Sequence, residues 1–420
     1  MNSQAPARVK PNRIADLFYW AVLAITAANY SFITFAQDSD ELLSSPLKPL
    51  AYSRLPIAAL GVLYMMSIRR RYRSDVGIMS AIWVLMFSLM MSVPFSSDLT
   101  TAATYAVWFF FQIFFLLMYV NHVFETVGFE RAKFKLAMPL FLFGAYFLLL
   151  TLAALPNYVI GRPFPALYTT RVQVAMLLPL LFGGAACCFT YLGKSMVRKY
   201  LLYGFLFFGV LVILFSGKRA SIVCMLLVAA GYFFVSMRWS GRIYAVCLVP
   251  VLLSILIFTS VGDTAVEASE FTVTRVEKGF DSDTATSINA RFGIWSSIGQ
   301  LAASKPLGIG LNVGRQEVGG GLHNTYLGFL LETGWLSIIA VIYLLLLAFY
   351  RGFFSAVDAK KEMLLYLVVP CALYSITEYN TSPGQPLFVP LWVSIFFCLL
   401  RDPRKKRRSK AVNTARVEYG

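Results

Sequence analysis

Residues Ser287–Trp335 read SINARFGIWSSIGQLAASKPLGIGLNVGRQEVGGGLHNTYLGFLLETGW. Phe292, Trp295, Ile298 and Leu301-Ala302 recur at three-to-four spacing, the pattern of an amphipathic helix running to Ser304. Ser287 or Asn289 supplies a capping side chain at its start, and Lys305-Pro306 stops it. The helix places Arg291 in its first turn, where a cation sits against the dipole. Glycines at 308, 310, 314 and 319–321 then make a flexible or tightly turning segment. His323-Asn324 opens a short helical run to Glu332, and Thr333-Gly334 breaks that run before an apolar helix starts at Trp335. This stretch closes the one long polar interruption in the chain, which begins at Val261. Everything around it is apolar.

Working outward, the chain is 58% hydrophobic and only 14% charged over 420 residues, which excludes a soluble multidomain protein. Apolar runs fall at about 14–36, 51–67, 76–94, 101–120, 136–155, 172–192, 200–216, 220–237, 243–261, 324–350, 363–377 and 386–400. Many are long enough to cross about 30 Å of hydrocarbon. The expected fold is an all-α polytopic membrane protein of about twelve transmembrane helices, residues 1–420 forming a single membrane domain. A large external loop, 262–323, separates the ninth and tenth spans and contains short helices. No short apolar stretch with a cleavage site heads the chain, so the first span is expected to serve as the targeting signal. No repeat of 20–50 residues and no pair of matching halves is visible.

The net charge of +16 suggests nucleic acid, but cytoplasmic-loop bias explains it better. With the N-terminus inside, the inner segments hold 26 of the 37 Lys and Arg, and every inner loop has at least two. Both termini are then cytoplasmic. The tail 401–420 is basic, its Arg401–Lys410 run serving as a stop-transfer anchor or lying against anionic head groups. The six cysteines all lie in apolar runs without metal-ligand spacing, and read as small core residues.

Basic residues on the other face go against that bias. Lys218-Arg219 occupies the hairpin between the seventh and eighth spans, in FSGKRAS. Two readings stand: cations snorkelling at a helix end, or an anion site in which Gly217 makes the turn and the next helix start adds free N–H groups. Arg162 and Arg171, in PNYVIGRPFPALYTTR, are either structural anchors or substrate contacts. Arg291 is a surface arginine or an anion ligand. His323 is one of only two histidines; the other, His122, falls in an inner loop. A histidine at a helix start beneath a glycine-rich segment is a functional candidate.

At these residues the chain resembles the bacterial O-antigen ligase/polymerase family. The resemblance rests on the many spans with both ends inside, the tip SGKRAS, the segment ARFGIWSSIGQLAASKPLGIGLN, and HNTYLGFLLETG from His323 to Gly334. It implies a glycosyltransferase of the bacterial inner membrane working at the periplasmic face. The donor would be a glycan on undecaprenyl diphosphate. The acceptor would be lipid A-core in a ligase or a growing glycan in a polymerase, with no metal and no cofactor. By that resemblance His323 is the base or acceptor-orienting group, and Arg219 and Arg291 bind the diphosphate. Lys218 and Asn324 are weaker candidates, and Arg162 and Arg171 match no family motif. The chemistry agrees: guanidinium suits phosphate oxygens and stabilises charge that grows on a leaving group, and histidine is a base near neutral pH. Single displacement would invert the anomeric centre. A protein O-oligosaccharyltransferase shares this donor logic. A twelve-span transporter is the rival from another class, disfavoured because the span interiors are nearly free of charge.

Overall fold

The structure, a computed structural model, describes residues 13–35, 53–68, 75–153, 180–189, 195–216, 219–236, 288–318, 322–377, 383, 385 and 387–401. For 29–35, 150–153, 211, 213–216, 219, 288–290 and 315 it describes the backbone alone. Among the described residues the fold is all-helical, with no strand. Each expected span that falls on them coincides with helix; the ninth, 243–261, lies outside them. Among the described residues, three helices are long and apolar enough to cross a membrane: Val76–Phe95, Leu99–Leu149 and Trp335–Phe353.

In chain order the helices are α1 (Arg13–Phe35), α2 (Arg54–Ile68), α3 (Val76–Ser92), α4 (Leu99–Ala153), α5 (Leu180–Phe189), α6 (Met196–Ser216) and α7 (Arg219–Val235). There follow α8 (Ile288–Ser304), α9 (Gly314–Val318), α10 (Thr325–Thr333), α11 (Trp335–Phe353), α12 (Asp358–Met363), α13 (Val369–Thr377) and α14 (Phe388–Leu399). A π-helical turn, Leu364–Val368, joins α12 to α13.

The expected inner loop around 121–135, with His122 in it, is not a loop. Helix continues on both sides of Gly128, whose φ of 76° and ψ of 174° reverse the chain within one residue. Only glycine takes that φ without a steric penalty. The two limbs of α4 come back alongside each other. Tyr19 of α1 lies against the Tyr119 ring on one limb, 4.8 Å between centroids, and donates to the Leu136 carbonyl on the other at 3.1 Å. His122 is accordingly buried in the first limb.

α3 and α11 run antiparallel, joined at one end by Arg351 on Asp75 (2.5 Å) and at the other by the Ser88 hydroxyl on the Thr333 carbonyl (2.5 Å). Charge gathers at the Arg351 end. Arg351 also donates to the Leu399 carbonyl (2.9 Å), Lys135 pairs with Asp16 (2.8 Å), and Lys133 bridges Glu362 and Glu130. Aromatic packing fills the middle, where Phe109 of α4 meets Phe329, Phe388 and Trp392 edge-on. Arg54, at the head of α2, is buried with its guanidinium 4.6 Å over the Trp108 ring and a hydrogen bond to Thr26 (3.3 Å). Stacking and a hydroxyl acceptor let it stay charged there.

Candidate functional site

α10 is a short strut laid across the bundle. Its first residues reach α13, where the Tyr326 hydroxyl donates to the Ala372 carbonyl (2.9 Å). Its last reaches α3 through Thr333. Asn324 is its cap: the side-chain oxygen accepts from Tyr326 N (2.9 Å) and Leu327 N (3.0 Å). Those are two of the N–H groups a helix start otherwise leaves unpaired. Asn324, expected as a weak substrate ligand, thus uses its amide oxygen on the backbone. His323 precedes it, half-buried and in the left-handed region at φ 46°. A non-glycine residue pays about 1–2 kcal/mol for that conformation, so the surroundings must hold it.

Of the two alternatives for the glycine-rich segment, its described part turns tightly and is pinned; Gly319–Gly321 lie outside the described residues. Gly308 (φ 88°), Gly310 (φ 97°) and Gly334 (φ 83°) interlock where α10 breaks into α11. A Cβ on Gly308 would stand 2.6 Å from the Glu332 carbonyl oxygen, and one on Gly334 2.6 Å from that of Pro306. One on Gly310 would meet Ser96 and Ala102 at 2.7 Å. Hydrogen bonds close the joint: Ile309 N to Leu331 O (3.1 Å), Gly310 N to Glu332 O (2.9 Å) and Trp335 N to Pro306 O (3.1 Å). A small core of Ile298, Ala302, Ile309, Leu322 and Leu331 seals α8 onto α10. The apolar face read for α8 therefore lies on this strut. Glu332 is fully buried at the same joint, and its Oε1 accepts Gly314 N at 3.0 Å. Only its place in HNTYLGFLLETG marked it in the sequence.

The end of α13 is the common post. Arg291, half-buried on α8, donates to the Thr377 carbonyl at 3.4 Å, one of the acceptors a helix C-terminus leaves unpaired. A guanidinium has further N–H donors for a ligand. One turn along α8, the Trp295 indole N–H is buried without a partner among the described residues. α7 runs antiparallel to α13: Ser236 bonds Glu362 (2.8 Å) and Tyr366 (2.6 Å), and Cys224 donates to the Pro370 carbonyl (3.3 Å). At 1.5 Å of rise per residue, Arg219 lies about 7.5 Å beyond Cys224 and Thr377 about 10 Å beyond Pro370. By helix rise, the start of α7 and the end of α13 lie on the same side of the Cys224–Pro370 contact. Three helices thus bond to α13 along its length: α7 at Pro370, α10 at Ala372 through Tyr326, and α8 at Thr377 through Arg291. Lys218, Arg162 and Arg171 lie outside the described residues.

Compared with known proteins, residues 204–342 match the family model of the O-antigen ligase. The matched segment runs from α6 into α11 and contains Arg219, Arg291 and His323. No curated protein and no solved structure matches the chain.

Proposed function

From the match of residues 204–342 to the O-antigen ligase family model, we propose that this chain is an inverting glycosyltransferase of the membrane. It takes a glycan from undecaprenyl diphosphate at the periplasmic face and passes it to an acceptor hydroxyl, that of lipid A-core. The observation that carries the reading is the tether of Arg291 to Thr377 at the end of α13, with Tyr326 of α10 bonded to Ala372 of the same helix and His323 beside the capped start of α10. A helix start with free N–H groups favours an anion; the start of α10 spends two of its N–H groups on Asn324, so the diphosphate falls to α7 and α8. Arginine adds bidentate donors that strengthen as charge develops on the leaving phosphate.

In the step proposed, the acceptor oxygen attacks the anomeric carbon from the face opposite the diphosphate. The bond from that carbon to the phosphate oxygen breaks, and undecaprenyl diphosphate leaves with both bonding electrons. The hydroxyl proton passes to the imidazole of His323. Arg291 and Arg219, with Lys218 beside it, hold the diphosphate. Polymerisation of repeat units differs only in the acceptor.

The test is reconstitution with undecaprenyl-diphosphate glycan and either lipid A-core or glycan alone. Glycan on lipid A-core with an inverted linkage is expected, and His323→Ala should remove it. Lengthened lipid-linked glycan would make the chain a polymerase. Transfer undiminished in His323→Ala would remove the base from the mechanism.

A further inference from the structure

Residues 309–318 lie back against α10, and Leu322 packs against the same helix. Ile309 and Gly310 are bonded to the last residues of α10, and Leu322 is buried against Ile309 and Leu331 immediately before His323. Between these ties stands Glu332. Its side chain is 0% exposed, and its Oε1 takes the N–H of Gly314, the first residue of α9. The fit is close: a Cβ on Gly314 would lie 3.0 Å from both Cγ and Oε1 of Glu332. A buried carboxylate is costly, and an apolar side chain of the same volume often serves stability better. What the glutamate provides is an acceptor at a fixed reach for Gly314, on which Leu322 packs: a Cβ on Gly314 would lie 3.1 Å from Leu322 Cδ1. That matters because His323 sits in the left-handed region. The cap at Asn324 fixes the residue after it, and the packing of Leu322 fixes the residue before it.

Resting on the reading of His323 as base, we propose that Glu332 is a positioning residue for it, acting through the Gly314 N–H and Leu322. Without that acceptor Gly314 and Leu322 loosen, and His323 leaves the alignment the reaction needs while Arg291 keeps its tie to Thr377.

The experiment measures kcat and donor KM for Glu332→Ala, Glu332→Asp and Glu332→Gln, with His323→Ala beside them. Glutamine keeps the Oε1 acceptor at full reach and should stay within about threefold of the unaltered enzyme. Alanine removes the acceptor and aspartate withdraws it by one methylene. Both should lower kcat about 10- to 100-fold, the cost of a small misplacement of a reacting group, with donor KM unchanged. Aspartate covers the case in which the alanine variant fails to fold. A second readout needs no turnover. With His323→Cys as a reporter, alkylation by a water-soluble maleimide should speed up when Glu332→Ala is added and not when Glu332→Gln is. The proposal is overturned by unaltered kcat in the alanine and aspartate variants, by a donor KM that rises as kcat falls, or by unchanged alkylation. His323→Ala separates the two ideas. If it transfers normally the base assignment fails; if it is inactive while the Glu332 variants are normal, only the positioning role fails.

Discussion

Asn324 shows how one side chain changes its reading once its bonds are seen. In the sequence it follows a candidate base and invites a role in substrate contact. In the structure its oxygen is shared between Tyr326 N and Leu327 N, so it fixes the start of α10 and the residue before it. Capping and contact predict different outcomes. Asn324→Ala should cost about 1 kcal/mol of stability, the usual value of a cap, and lower transfer because His323 loses its neighbour. Asn324→Ser keeps a capping oxygen and should preserve both melting temperature and transfer. A serine variant that melts normally and fails to transfer would return Asn324 to the substrate. Arg291 kept more of its original meaning. Its tether to Thr377 fixes where the guanidinium stands and leaves donors for an anion.

At the scale of elements the decisive feature is the joint where Pro306–Gly310 wedges into the break between α10 and α11. Gly334→Ala would place a Cβ 2.6 Å from a carbonyl oxygen, at a φ that alanine tolerates poorly. A loss of about 1–3 kcal/mol follows from the backbone alone, and the clash adds to it. Transfer should fall with stability, as measured by thermal unfolding in detergent against activity in the same preparation. Gly299→Ala is the control, since a Cβ there meets nothing within 4 Å. Much of this element was legible. The period in Phe292–Ala302 marks α8, Lys305-Pro306 its end, and Thr333-Gly334 the break. The interlock was not, because glycines signal permissive backbone and say nothing of what packs against them. A glycine chosen for flexibility and one chosen because no Cβ fits look the same in a sequence. The turn at Gly128 was missed for a related reason: a run of charged residues suggested a loop where one positive φ sufficed. Glu332 carried no signal of its own beyond its motif, since its burial comes from a segment that folds back from earlier in the chain.

At the scale of the whole molecule, long-range ties hold the helices in register, and these are the least visible in a sequence. Asp75 and Arg351 meet across 276 positions. A count of Lys and Arg cannot pair them. Asp75 has two tasks: its Oδ1 caps α3 through Gly77 N (3.1 Å), and its Oδ2 receives Arg351 (2.5 Å) and Arg401 (3.3 Å). The bond from Arg351 holds its carboxyl below the ordinary carboxylate range; burial opposes it, and the Gly77 N–H, the charge of Arg351 and the bond from Arg401 add to the lowering. The sign of the consequence follows. A carboxyl whose folded pKa is depressed binds fewer protons folded than unfolded, so its stabilisation is fully present above the unfolded value, about 3.9 for aspartate. It is lost as pH falls through the folded value. Asp75→Asn keeps the cap, since asparagine caps as well as aspartate, and removes only the charge. Unfolding of the two forms should be compared between pH 7 and pH 2. The asparagine variant should be less stable at pH 7, by a gap that stays constant down to about pH 4 and closes below it. Equal stability of the two forms at pH 7 would mean that the ion pair contributes nothing and that the cap alone ties α3 to this end of the bundle.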